Sequence, residues 1–404
     1  MNTKNFDAGS ASLRSGVARL SGFKRLGAAL LVALACLSGS YSWAGSDALQ
    51  ESAPITDRAV SSLLLDVVRA GERLVAVGER GFIVYSDDQG QSWKQSQVPV
   101  RTTLTAVYFA TPSRGWSVGH DGVVLASLDG GETWVKQLDG HQANQISLNA
   151  AAKRLEELEA EISDSGEELS EEQELMLGNA QLLLDDSEAF NEDGATRPLL
   201  DLWFKNPSEG IVVGAYGLIL RTSDGGETWH SLAPKMPNPD LFHYNAIAQA
   251  GSSLFIAGEA GSVFRSDDEG QDWQALESPY EGSYFGVLGS EQGREVLIMG
   301  LKGHLFSSHD RGESWAELET GTDHTLSSGS VSADNSVMLV GYSGTRLLRA
   351  PGQQAFTVLP VRIPFPYSAV SPAPDGGWIL AGYGGVTRLE PSEGKRERSN
   401  VEVN

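Results

Sequence analysis

The chain has one cysteine, Cys36, in 404 residues. It lies inside an apolar run, LGAALLVALACL (Leu26–Leu37), that follows Arg14, Arg19, Lys24 and Arg25 and precedes the small-residue site Ser42-Trp43-Ala44. This order is the layout of a Sec-type signal peptide over residues 1–44, and the run is too short to span a bilayer comfortably. Lipidation at Cys36 is disfavoured, because Ala33 stands where a large aliphatic is usual and the cysteine falls within the run itself. Cleavage after Ala44 leaves a mature chain with no cysteine. That excludes disulfides, thiol nucleophiles and Cys-ligated metals, so packing alone must hold the core.

Positive charge is also scarce. Lys and Arg number 30 against 53 Asp and Glu, a net charge of −23, and removing the leader's five cations and one Asp leaves about −27. Such a protein repels phosphate backbones and anionic headgroups, which argues against nucleic acid and against direct membrane insertion once the leader is gone. Enzyme signatures are missing as well. The seven histidines show no paired metal spacing, and no G-x-S-x-G elbow appears. No catalytic residue, metal ligand or cofactor is assigned.

What the chain does have is glycine, 46 of them, at regular spacing. Gly-x-x-Gly pairs start at Gly78, Gly119, Gly214, Gly258, Gly300, Gly341 and Gly382, in steps of 41, 95, 44, 42, 41 and 41 residues. The long step is one repeat plus an insertion. No helix follows these pairs, so they are not phosphate loops. A second marker follows them, the box S/T-x-D-x-G-x-x-W, carried by Asp88 and Trp93, Asp129 and Trp134, Asp224 and Trp229, Asp268 and Trp273, and Asp310 and Trp315. A period of this size with several short strands per copy predicts propeller blades.

One copy reads as a whole blade. LTAVYFA, WSVG, VVLAS and TWVKQL are four strands, with His120-Asp121 as a hairpin tip whose flanking glycines relieve positive φ. The box is read as a turn staple: Asp129 accepts N–H groups, Thr133 adds a hydroxyl and Trp134 wedges between blades. A calcium site at each box is disfavoured, since each supplies a single carboxylate. In the sixth copy Pro351 and Phe356 replace the Asp and Trp, and the seventh stops after three strands. The fold class is therefore all-β, a seven-bladed β-propeller of four-stranded antiparallel blades over residues 45–390. Its closing strand is expected from residues 47–58, because this removes a sheet edge, and a disordered tail is expected over 391–404.

Residues 141–196, between blades two and three, hold fifteen Asp/Glu against Lys153 and Arg154. NAAAKRLEELEAEI and SEEQELMLGNAQLLLDDSEAF have helical spacing. Ser170 and Gln173 form a capping box before the second, and Met176, Leu183 and Phe190 a stripe. The segment is an acidic helical hairpin, either a solvated decoration or a partner-binding arm. As a blade-to-blade connector it must share a face with the Gly-x-x-Gly tips, opposite the boxes.

That tip face is the expected partner-binding face. Its tips and connectors contribute Arg80, Arg101, His120, Tyr216, Phe242, Tyr244, Tyr284, Lys302, Tyr342, Arg362, Phe365, Tyr367 and Tyr383, and clustered Tyr, Phe and Arg are what interface hot spots are made of. A carbohydrate-active propeller, a sialidase-like hydrolase or a lectin, is the alternative. Against it, Arg362-Ile363-Pro364 follows all the boxes where sialidases carry that signature before the first, and no paired acid and nucleophile is visible.

The repeat in VGAYGLILRTSDGGETW resembles the photosystem II stability/assembly factor family over residues about 60 to 390, the insertion excepted. That resemblance implies a seven-bladed Asp-box (BNR-repeat) propeller that holds an assembling membrane subunit. The photosynthetic members do so with a basic patch, whereas this chain is acidic. The expectation is accordingly a non-photosynthetic bacterial relative: a monomeric, non-enzymatic periplasmic scaffold for a membrane or envelope protein.

Overall fold

The computed structural model describes residues 47–165, 169–361 and 364–391. The signal peptide, Arg362 and all but the first residue of the expected tail lie outside the described residues. Six antiparallel sheets have four strands each and the seventh has three. The inner strands are Leu64–Ala70, Leu104–Phe109, Leu199–Phe204, Tyr244–Ala250, Tyr284–Ser290, Leu326–Val331 and Tyr367–Pro372, one for each of blades 1 to 7. Second strands such as Gly115–Gly119 are buried throughout, while outer strands are as short as the two residues Lys94–Gln95.

Seven separate apolar clusters fill the seven blade interfaces. Each box tryptophan sits in the cluster shared with the preceding blade. Trp134 of blade 2 packs with Val75, Val77 and Ile83 of blade 1, and meets Phe109 edge-on at 6.0 Å. The boxes themselves are hydrogen-bonded as expected. Ser92 donates its N–H to Asp88 Oδ1 at 2.8 Å and its hydroxyl to Oδ2 at 2.5 Å, while Gly90 N–H donates to Ser86 Oγ at 2.8 Å. Four of the five box loops also offer carbonyls to the preceding blade, and that of blade 4 is reached instead through the Glu269 carboxylate by Lys205 (2.7 Å). Arg73 reaches Gly130 O (3.1 Å) and Glu132 (2.9 Å), and Arg114 reaches Gly225 O (2.7 Å). The staples thus serve both the turn and the joint between blades.

The seam between blades 7 and 1 differs from expectation. Residues 47–58 contain no strand, and the third strand of blade 7, Gly385–Leu389, pairs only with Trp378–Gly382. The N-terminal segment is held elsewhere: Ala53 N–H donates to Val98 O (3.0 Å) and Arg101 N–H to Ala48 O (2.7 Å). A single turn of 3-10 helix, Ala59–Ser61, occupies the edge, with Val60 O so close to Gly385 that a Cβ there would lie 1.8 Å away. Apolar packing closes the ring instead, with Ile379, Ala381 and Ala369 against Leu64, Val67, Leu74 and Ala76. Arg388 ties the seam by donating to Gln89 O while pairing with Asp375 and Glu390.

The insertion is a pair of helices, α1 (Gly140–Ser165) and α2 (Glu171–Asp193). The capping box is present, with Ser170 Oγ accepting from Gln173 N–H and Gln173 Oε1 from Ser170 N–H. The buried edge of α2 runs through Ala180 and Ser187; Met176 is exposed, so the expected stripe is rotated. The hairpin leaves and rejoins the propeller on the tip side. Gly140 abuts the blade 2 tip, 2.6 Å from where a Cβ on Gly122 would stand, and the Phe190 ring lies 5.6 Å from the blade 3 tip residue Tyr216. Buried Arg197 locks the base, donating to Asn144 Oδ1 (3.1 and 2.8 Å) and stacking on Phe190 at 4.3 Å. Among the described residues no helix is long and apolar enough to cross a membrane.

Candidate partner-binding face at the channel mouth

Every inner strand carries a β-bulge near its start. The bulged residues are Leu65, Thr105, Leu200, Asn245, Phe285, Ser327 and Ser368. A bulge leaves one residue unpaired and re-aims its side chain, and all seven line one cavity of ≈ 580 Å³ on the axis. Tip residues Tyr342 and Tyr383 line the same cavity, so it is the mouth of the channel on the tip face.

Side chains at this level link blade to blade. Thr105 Oγ1 donates to Leu199 O (2.7 Å), Asn245 Nδ2 to Tyr284 O (2.8 Å) and Ser327 Oγ to Tyr367 O (2.7 Å). Blades 1 and 3 use carboxylates instead. Asp66 accepts from Val67 and Val107 N–H at 2.7 and 2.8 Å. Asp201 accepts from Leu202 and Ile247 N–H, both at 2.8 Å. These aspartates were missed in the sequence, although each ends a Leu-Leu-Asp tripeptide at the start of an inner strand.

Burial raises Asp66 from 3.8 to about 6 and Asp201, with help from the Asp66 charge, to about 7. The box aspartates go the other way. Hydrogen bonds from Ser92, Thr228 and Ser314 hold Asp88, Asp224 and Asp310 down at about 2. A carboxyl whose folded pKa is raised favours the fold in its protonated form, so its stabilisation grows as pH falls through that value. One whose pKa is depressed loses its contribution below the unfolded value of 3.8. Thermal stability is therefore expected to rise from pH 8 to about pH 5 and to fall below about pH 4. In the Asp66→Ala/Asp201→Ala variant the upper slope should flatten while the acid loss persists. An unchanged slope in a melting series would contradict the assignment.

The expected face residues fall into three groups. Tyr342, Phe365 and Tyr383 are 58%, 46% and 63% exposed around the mouth, with the Phe365 and Tyr383 rings 5.9 Å apart. Half-buried Tyr367 lines the channel below them, and Phe285, which sequence reasoning overlooked, joins from blade 5. Arg80 and Lys302 are exposed tip residues with φ of 56° and 55°, and His120 is exposed beside Asp121. A second group is engaged elsewhere. Arg101 pairs with Glu51 at 2.7 Å, Tyr216 is held between Phe190 and His243, and half-buried Phe242 is bonded to Asn238. The third group is a correction. Tyr244 and Tyr284 are wholly buried, packing edge-on against Phe264 and Phe306, so neither lines the channel mouth. Each opens an inner strand just before its bulge and points into a blade interface; burial pushes the Tyr284 phenol up to about 12.

Radial sheets around an axial channel, stapled by Asp boxes, define a seven-bladed Asp-box β-propeller. The family described as "Photosynthesis system II assembly factor YCF48" matches residues 85–158 and 191–283. Among curated relatives, the photosystem II assembly lipoprotein Ycf48 of Synechococcus sp. (strain CC9902) is 36% identical over 77 residues, 19% of this chain and 23% of the relative. The photosystem II assembly protein Ycf48 of Synechococcus sp. (strain JA-2-3B'a(2-13)) is 29% identical over 178 residues, 41% of this chain and 49% of the relative. The chain thus matches less than half the length of these relatives. A solved structure of YCF48 bound to D1 peptide superposes with a TM-score of 0.56 at 16% identity, covering 84% of this chain and 95% of that one. YCF48 from Cyanidioschyzon merolae gives 0.56 at 13%, covering 85% and 99%. The chain is a β-propeller that resembles photosystem II assembly factors over the matched segments 85–158 and 191–283.

Proposed function

We propose that this protein is a non-enzymatic, protein-binding assembly or stability factor for a membrane or envelope complex, acting in the periplasm after removal of residues 1–44. One observation carries the reading: the exposed aromatics Tyr342, Phe365 and Tyr383 gather around the mouth of a channel. Rigid aromatics around a concavity bind protein at low entropic cost. Support comes from a structural neighbour that holds a D1 peptide. The acidic charge of this chain makes its partner one with basic rather than acidic contacts.

The reading is tested by photocrosslinkers at Tyr342 and Tyr383 in the native envelope, followed by mass spectrometry. A reproducible integral membrane or envelope protein is expected, and Tyr342→Ala/Tyr383→Ala should weaken its capture at least about tenfold, the range of a hot-spot pair. Recovery of no such protein, or a reproducible hit on a fluorogenic glycoside panel, would remove the scaffold reading.

A further inference from the structure

The hairpin presents a surface of its own. Helix α2 carries Glu171, Glu172, Glu174, Asp185, Asp186, Glu188, Glu192 and Asp193 and not one Lys or Arg. Amid that charge stand two bare leucines, Leu175 at 65% exposure and Leu182 at 59%. They are seven residues apart, hence on one face, and that face is not the buried one, which runs through Ala180 and Ser187. Around the helix, Met176 (43% exposed) and Leu183 continue the apolar surface into a cleft of ≈ 220 Å³. Its far wall is the proline-rich connector of blade 3, with Pro234, Met236, Pro237 and Leu241. The matched family segments stop at residue 158 and resume at 191, so most of this surface belongs to the part of the chain that the family match leaves out.

Charge decides among the occupants. A second copy would bring two sets of the same carboxylates together, and an anionic membrane surface is repelled for the same reason. A cationic partner gains from the rim and fills the leucine stripe. We infer that the α2 face, with its adjoining cleft, docks an amphipathic helix of a partner protein, apolar on one side and Lys/Arg-rich on its flanks. Anchors at i, i+3 or i+4 and i+7 would seat beside Leu175 and Leu182, as in other helix-in-groove contacts.

The experiment uses the full chain and a synthetic helical peptide with leucine at a and d and lysine at e and g. Its controls are a permuted peptide of the same composition and a peptide with glutamate for lysine. Fluorescence anisotropy should show saturable one-to-one binding that weakens with salt, and at least about tenfold weaker binding to L175E/L182E. As a second reading, L182C labelled with an environment-sensitive dye in a C36S background should shift its emission on titration. Equal binding of the permuted or glutamate peptide, unchanged affinity of L175E/L182E, or a silent dye would overturn the inference; so would self-association abolished by L175E/L182E, which would make the face a contact between copies. Tyr342 and Tyr383 are untouched in these variants, so failure here and failure of the channel-mouth reading are separable.

Discussion

Replacing Arg349 by alanine is expected to lower the free energy of unfolding by about 3–5 kcal/mol, the cost of leaving a buried charge without its partner. Arg349 and Glu295 have side chains 5% and 3% exposed. The guanidinium donates to Glu295 Oε1 at 2.9 Å, to Oε2 at 2.5 Å and to Ser290 Oγ at 3.0 Å. It also lies over the Phe356 ring at 5.0 Å. Arg349 stands where the five boxed blades place a serine or threonine, and Phe356 where they place the tryptophan. Blade 6 has thus exchanged a staple within one turn for an ion pair to blade 5. Burial alone would raise the Glu295 carboxyl, but Arg349, Ser290 and Ser307 together hold it below its ordinary value. In the parent, that contribution is lost as pH falls through the depressed value. Without Arg349 the shift inverts, and the variant should recover stability on acidification. Urea unfolding at several pH values reads both effects. Arg349→Met/Glu295→Met should recover most of the loss. A single variant as stable as the parent at neutral pH would show that the pair is not holding the joint.

Gly119→Ala should cost at least the upper end of the ~1–3 kcal/mol typical of overpacking. The reason is not backbone conformation, since φ is −174°, extended and open to any residue. A Cβ there would lie 2.2 Å from Thr103 O and 2.8 Å from Leu104 Cα. The carbonyl cannot retreat, because it accepts His120 N–H at 2.8 Å. The same clash, at 2.1 to 2.3 Å, recurs at Gly78, Gly214, Gly258, Gly300, Gly341 and Gly382. Gly376→Ala is the control. Its φ is 88° and nothing lies within 4 Å, so it should cost only about 1 kcal/mol of conformational strain. Equal losses in calorimetry would refute the close-approach argument.

This contrast marks what the repeat could and could not reveal. The second glycine of each tip pair was read correctly as a positive-φ position: Gly81 and Gly122 have φ of 73° and 63°. The first was assigned the same duty, but its duty is contact with a strand from the start of its own blade. The boxes were legible because their bonds close within four residues, as from Asp129 to Thr133. Tyr244 and Tyr284 were misplaced because the bulge immediately after each decides which way it points, and a bulge leaves no mark in the period.

The sequence by itself determined the number of blades, the staple in each box, the capped acidic helices and the side of the ring on which they emerge, since spacing and local hydrogen bonds suffice for these. Only the tertiary structure decided how the ring closes and what its axis presents. Ile379 and Leu74 become neighbours by closure across most of the chain, and Asp66, Asp201, Tyr342 and Tyr383 share one cavity only because the blades are set around an axis. The seam is closed by apolar packing and Arg388 rather than by a borrowed strand, because the segment that could have supplied one is bonded to the loop between blades 1 and 2.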